Sequence, residues 1–267
     1  SEAGETVYKV DNLHVLNNRD LKAVNGVSFE VREGEILGLA GVAGNGQAEL
    51  TDALFGLRDI EEGKVKFKGN DITNYNTKDI IESGISQIPE DRQKRGLVLD
   101  FSLYENMVLG SHYKPPYAMG HQMNYKKIKE TAKNLIEEYD VRTPNENVLA
   151  KSLSGGNQQK VILAREMSRE PDMLIASQPI RGVDVGAIEF IHNKLLEQRK
   201  KGKAILLVSM ELDEILSLSD RIAVIYEGEI MDIIPREEAT EEKLGLLITG
   251  AEDELEKRGG EDKVATE

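Results

Sequence analysis

An α/β fold built on a parallel sheet is predicted for this chain by three observations. Apolar runs of strand length alternate with helix-patterned stretches in its second half. One apolar run ends in a glycine-rich turn and opens straight into a helix. The first segment, by contrast, alternates short apolar runs with turns, the pattern of antiparallel strands.

Taken in order, residues 27–31 and 64–68, the latter followed by Gly69-Asn70, read as strands of an N-terminal antiparallel β subdomain. Between them residues 35–40 form a buried-type strand, followed by a glycine-rich turn and by a helix over 47–55 with apolar residues at helical spacing. That is a strand, loop and helix in P-loop order. From about residue 91 the chain is polar and helix-patterned, with a loop at Lys114-Pro115-Pro116-Tyr117 and a helix around 126–139. An inserted helical subdomain is expected there, over about 91–165. Residues 173–176 and 204–208 are buried-type strands separated by a helix near 187–201, and this alternation implies a parallel sheet. Residues 221–231 read as a hairpin turning at Glu227-Gly228. The expected domain therefore spans 7–250, and 251–267, charged and nearly without aliphatic residues, is expected to be a disordered tail. No internal repeat is found.

Composition narrows the function classes. With 267 residues and 39% hydrophobic content a sizeable core is expected. The net charge of -14 argues against a nucleic-acid partner, because phosphate binding needs an excess of Lys and Arg on some face. Cysteine is absent, which removes disulfides, thiolate catalysis and zinc thiolate sites. No apolar run reaches the roughly 18 residues of a membrane helix, so a membrane role is expected to come through a partner. The opening Ser1-Glu2-Ala3-Gly4-Glu5 has neither the basic nor the apolar part of a signal peptide, and reads as the start of an excised fragment.

The strongest motif is Leu153-Ser154-Gly155-Gly156-Asn157-Gln158-Gln159-Lys160, followed by a helical run and an apolar strand. Two glycines at a helix start let backbone N–H groups approach an anion, and Ser154 adds a hydroxyl beside the positive end of the helix dipole. A phosphate grip and an ordinary serine cap both fit these residues when taken alone. In combination with the strand, loop and helix upstream, the motif resembles the signature of the nucleotide-binding domain of ABC transporters, matched here by Leu153 to Gln158 within a resemblance covering residues 7–250. The fold so implied is a P-loop NTPase of the ABC type. In that family two domains pack head to tail, and the signature of one closes over ATP held by the P-loop of the other. The resemblance therefore implies that Ser154, Gly155, Gly156, Asn157 and Gln158 serve a partner's ATP.

Against the family pattern, this chain has lost most of the groups that act on its own nucleotide. The loop Gly41-Val42-Ala43-Gly44-Asn45-Gly46-Gln47-Ala48 keeps the three glycines, with Gln47 in place of the phosphate-binding Lys and Ala48 in place of the magnesium-binding Ser or Thr. A charge-assisted hydrogen bond contributes about 1.5–3 kcal/mol, so Gln47 alone implies roughly tenfold to a hundredfold weaker nucleotide binding. A glycine-rich turn with no ligand fits the same residues. At the family's Asp-Glu-Pro of Walker B stand Ser177-Gln178-Pro179, which removes the metal carboxylate and the general base together. Met210 occupies the place of the family's γ-phosphate histidine, and Glu90 that of the Q-loop glutamine, with Gln87 as a competing assignment. No aromatic residue for adenine stacking precedes the loop; His14 there is read as structural or exposed. Asp184, in Arg181-Gly182-Val183-Asp184, matches the D-loop near the partner's site and equally suits a helix cap. No metal site and no competent catalytic residue is expected in this chain, and weak binding of ATP or none.

These losses point to division of labour. The chain is similar to the C-terminal half of tandem ATPases for simple sugars and nucleosides, and residues 96–106 and 221–228 are more like the nucleoside importers. The resemblance implies ATP and Mg²⁺ in the full transporter, an N-terminal nucleotide-binding domain in the same polypeptide, two membrane permease subunits and a substrate-binding lipoprotein. It places the protein at the cytoplasmic face of the plasma membrane. The degenerate site would then be a hinge or static interface. The competing reading is an autonomous homodimeric ATPase, which the missing groups disfavour. ABC proteins acting on ribosomes or DNA are disfavoured by the acidic charge.

Overall fold

The computed structural model describes residues 4–250, so the expected disordered tail at 251–267 lies outside the described residues. The described residues fall into two compact units, one formed by 4–75 with 204–250 and the other by 76–203.

The first unit opens with the long strands β1 (Thr6–Leu16) and β2 (Lys22–Arg32), followed by β3 (Ile36–Ala40), α1 (Gln47–Leu54), β4 (Glu62–Phe67) and the short β5 (Asn70–Asp71). Strands β2, β1, β4 and β5 pair antiparallel in that order, with Val10 opposite Phe29 and Val15 opposite Val24. Tyr8, Val10, Leu13 and Val15 of β1 are buried with Val24, Val27, Phe29 and Val31 of β2, as alternation predicts for a sheet with one covered face. Strand β3 differs in being buried along its whole length, as a strand inside a parallel sheet should be.

The second unit contains α2 (Thr77–Ser83), β6 (Ile85–Ile88), α3 (Leu103–Val108), the small hairpin of β7 (Ala118–Met119) and β8 (Gln122–Met123), α4 (Tyr125–Glu138), α5 (Gly155–Ser168), β9 (Met173–Ser177) and α6 (Val185–Lys200). Strands β6 and β9 run parallel with Gln87 opposite Ile175. Helices α3, α4 and α5 pack on one another, and Leu103, Met107, Ile128, Ala132, Leu135 and Ile162 on them are buried. Local capping fixes where they begin. Ser102 and Glu105 form a reciprocal capping box at α3, and Asn124 accepts from the Lys127 amide at α4. Helix α5 is buried over nearly its whole length, and its charged residues neutralise each other there: Arg165 and Arg169 pair with Glu166 at 2.7 and 2.8 Å.

The chain then returns to the first unit with β10 (Ala204–Ser209), α7 (Leu212–Leu218), β11 (Arg221–Tyr226), β12 (Glu229–Pro235) and α8 (Glu241–Ile248). Strand β3 is flanked by β10 and β11, both parallel to it, and β12 closes antiparallel on β11. Helix α7 packs on β3 and β10, and α8 on β11. The expected parallel sheet, N-terminal antiparallel strands and closing hairpin are all present, whereas α2, β6, α7 and α8 were not anticipated. Strand β6 hides because its central Ser86 and Gln87 are polar yet buried; the Ser86 hydroxyl is satisfied by donating to the Glu166 carbonyl at 3.1 Å.

Candidate functional site

In the first unit the glycine-rich loop joins β3 to α1, as expected. Gly46 stands at the cap of α1 with φ +94, and its missing Cβ is what lets it lie against the Ala23 carbonyl. Asn45 Oδ1 accepts from the backbone N–H of Glu227 at 3.0 Å, so the β11–β12 turn buttresses this loop, a contact no sequence motif announced. Gln47 is 9% exposed, and its Nε2 donates to the Val42 carbonyl at 3.0 Å. The amide is therefore folded back on its own loop. Ala48 presents an exposed methyl group at the next position. Gly44, with φ +91 and open space beside it, still leaves backbone room for an anion, but no cationic side chain of the loop faces it. Met210 follows β10 and is partly exposed.

In the second unit Ser177 ends β9, and its hydroxyl oxygen is buried with no hydrogen-bond partner. A single neutral hydroxyl is a poor substitute for the carboxylate that holds Mg²⁺, which prefers anionic oxygen ligands in an octahedral set. Neither the Ala48 methyl nor the Ser177 hydroxyl is a side chain suited to ligate magnesium. Gln178 follows in the left-handed region with φ +48 and is 9% exposed. Its amide has no basic site for taking a proton from water at neutral pH. Gln87 is buried within β6, and Glu90, beyond the strand end, pairs with Arg181. The loop position of the two rival assignments is thus Glu90.

The signature residues open α5. Ser154 is its exposed cap, and the hydroxyl oxygen accepts from Asn157 Nδ2 at 2.9 Å and from the Asn157 backbone N–H at 3.5 Å. Asn157 Oδ1 in turn accepts from the Arg142 backbone N–H at 2.8 Å. The Ser154 oxygen thus accepts from Asn157, and its hydroxyl, on an exposed residue, retains the capacity to donate. Ser154, Gly156, Asn157 and Asp184 line one open cavity of about 250 Å³, together with Asp140, Arg142, Lys160 and Phe190. Lys160 reaches Asp140 at 2.7 Å and holds that carboxyl below the usual range, while its ammonium lies 4.7 Å from the Phe190 ring centroid. Asp184 caps α6 by accepting from the Ala187 amide at 3.0 Å, so the capping reading is realised in the geometry. Gln158 departs from expectation. It is buried and its Nε2 donates to the Ala150 carbonyl at 3.1 Å, because one residue further along a helix turns the side chain from the open face to the packed one.

Known proteins similar to this chain share its fold. The chain is 51% identical over 251 residues to the guanosine import ATP-binding protein NupO of Bacillus subtilis, covering 94% of this chain and 49% of that one. It is 48% identical over 246 residues to the nucleoside import ATP-binding protein NupA of Lactococcus lactis, covering 92% of this chain and 49% of that one. The chain thus spans about half the length of the curated relatives it matches. A crystal structure of a nucleotide-free ATP-binding cassette from an ABC transporter superposes with a TM-score of 0.75 at 25% identity, over 92% of this chain and 96% of that one. The family model described as ABC transporter matches residues 24–181, more than half of the sequence, and the chain belongs to that family.

Proposed function

We propose that this chain is the second, degenerate nucleotide-binding domain of an ABC importer's ATP-binding protein for nucleosides or simple sugars. It spans residues 7–250, with 91–165 as the inserted helical subdomain, and donates its signature to ATP held by an N-terminal domain of the same polypeptide. The observation that carries this is the contrast between two loops. The Gln47 amide is closed on Val42, whereas Ser154 is exposed and its hydroxyl, which accepts from Asn157, retains the capacity to donate. A length about half that of relatives named for guanosine and nucleoside import supports the tandem arrangement.

In this reading ATP bound by the partner domain supplies the free energy of its phosphoanhydride bond. The Ser154 hydroxyl and the N–H groups at the start of α5 stabilise developing negative charge there. Asp184 and Asn157 orient that surface. The chain's own side contributes neither a metal carboxylate nor a base, so it binds ATP weakly or not at all and acts as a static face. Two membrane permease subunits, and a substrate-binding lipoprotein acting through them, complete the transporter at the cytoplasmic face of the plasma membrane.

The test is steady-state ATP hydrolysis by the full-length protein carrying Ser154→Ala with Gly155→Val. Loss of turnover of a hundredfold or so, the scale of removing a principal transition-state donor, is expected. Undiminished turnover would sink the proposal. Magnesium-dependent turnover by this chain alone would favour the autonomous homodimer instead.

A further inference from the structure

Two of the segments matched to the family, the 181–184 loop and the start of α5, meet at the guanidinium of Arg92. One of its Nη atoms donates to the Arg181 carbonyl at 2.6 Å and the other to the Gly182 carbonyl at 3.0 Å. Glu90, two residues earlier, pairs with the Arg181 side chain. Gly155, the first residue of α5, leaves the space that Arg92 occupies: a Cβ there would stand 2.7 Å from the guanidinium and 3.0 Å from the Gly182 carbonyl. The base of the arrangement is itself fixed. Asp91 accepts from the amides of Gln93 and Lys94 at 3.1 and 3.0 Å, capping the turn that carries Arg92.

A planar fork gripping two successive carbonyls specifies geometry in a way that a single ammonium cannot. The Glu90–Arg181 pair is exposed and adds little on its own. Its consequence is that the carboxylate at the Q-loop position is directed to the 181–184 loop.

We infer that Arg92, assisted by Glu90, is a positioning residue that locks the 181–184 loop and the start of α5 into one arrangement. Ser154 and Asp184 are then presented to the partner together. This rests on the reading of those two residues as facing the partner's nucleotide. It adds that the position replacing the Q-loop glutamine works through a clamp on the D-loop.

The test compares Arg92→Lys, Arg92→Gln, Glu90→Arg, Arg181→Glu and the Glu90→Arg/Arg181→Glu swap in the full-length protein. The readouts are kcat and KM for ATP and amide hydrogen exchange across residues 181–186. Both Arg92 variants are expected to lower kcat by roughly tenfold with KM changed less than about twofold, and to speed exchange in that loop. The single charge changes should cause smaller losses of kcat that the swap recovers. Unchanged exchange in Arg92→Lys overturns the clamp, whatever happens to turnover. If Ser154→Ala with Gly155→Val leaves turnover intact, the signature reading fails separately, and the exchange measurement still decides the clamp.

Discussion

The side-chain amide of Gln47 donates to the Val42 carbonyl at 3.0 Å, within the loop that in this family cradles nucleotide phosphates. It satisfies the loop internally where a lysine would point a charge outward. Gln47→Lys with Ala48→Ser should therefore raise the affinity for Mg-ATP by about ten- to a hundredfold, the size of a charge-assisted hydrogen bond. Calorimetry on the full-length protein, counting bound nucleotides, checks this; an unaltered isotherm counts against a cradle that survives in the backbone.

Gly44 and Gly46 both adopt positive φ, +91 and +94, but only Gly46 lies against backbone, at the Ala23 carbonyl. Gly46→Ala should cost about 2 kcal/mol or more, from strain plus collision, and Gly44→Ala about 1 kcal/mol from strain alone. Urea denaturation of the two variants measures the difference. Equal losses would mean that the Ala23 contact yields freely.

The Asn157 amide donates to Ser154 Oγ at 2.9 Å, an arrangement in which the serine hydroxyl does not need to donate to Asn157. In Asn157→Asp the carboxylate has no hydrogen to give and instead accepts a hydrogen bond from the serine hydroxyl, which draws that donor away from a partner's nucleotide. ATP hydrolysis by the full-length protein should fall by roughly tenfold or more, with stability changed by no more than about 1 kcal/mol. Retained turnover would show that the hydroxyl is not the donor.

Asp184 has two roles to separate. As the cap of α6 it should contribute about 1 kcal/mol, lost in Asp184→Ala and largely kept in Asp184→Ser. If it also faces the partner, Asp184→Ser should lower turnover while melting near the native temperature. Full activity in that variant leaves the cap as its whole role.

Asp140 supplies a pH signature. Its hydrogen bond from Lys160 depresses the folded-state carboxyl below its unfolded value of about 3.9. The contribution is therefore present above about pH 4 and lost as pH falls through the lower folded value. Thermal melts from neutral pH into acid should show Asp140→Asn less stable than the native protein near neutrality, with the gap closing on acidification. A constant gap would place its origin elsewhere.

How far the sequence carried depended on whether its signal was local. Strands such as β3 and β10 were legible because they are buried apolar runs, and the signature helix because Ser154 and its glycines are contiguous. The missing lysine and carboxylates at 47, 177 and 178 could be read directly as substitutions. Strand β6 was not legible, since Ser86 and Gln87 are buried polar residues and the Ser86 hydroxyl finds its acceptor on another element. Nor was the inward turn of Gln158, which depends on the Ala150 carbonyl eight residues upstream. The contacts of Arg92 and Asn45 reach 89 and 182 residues along the chain, distances over which no spacing rule operates.

The most direct test is a calorimetric titration of Mg-ATP into this chain and, in parallel, into the full-length protein. The account predicts saturable binding by the full-length protein at one nucleotide per polypeptide, and none at micromolar concentrations by this chain. Micromolar binding by the chain alone would contradict it, because Gln47 and Ala48 would then suffice to hold the phosphates.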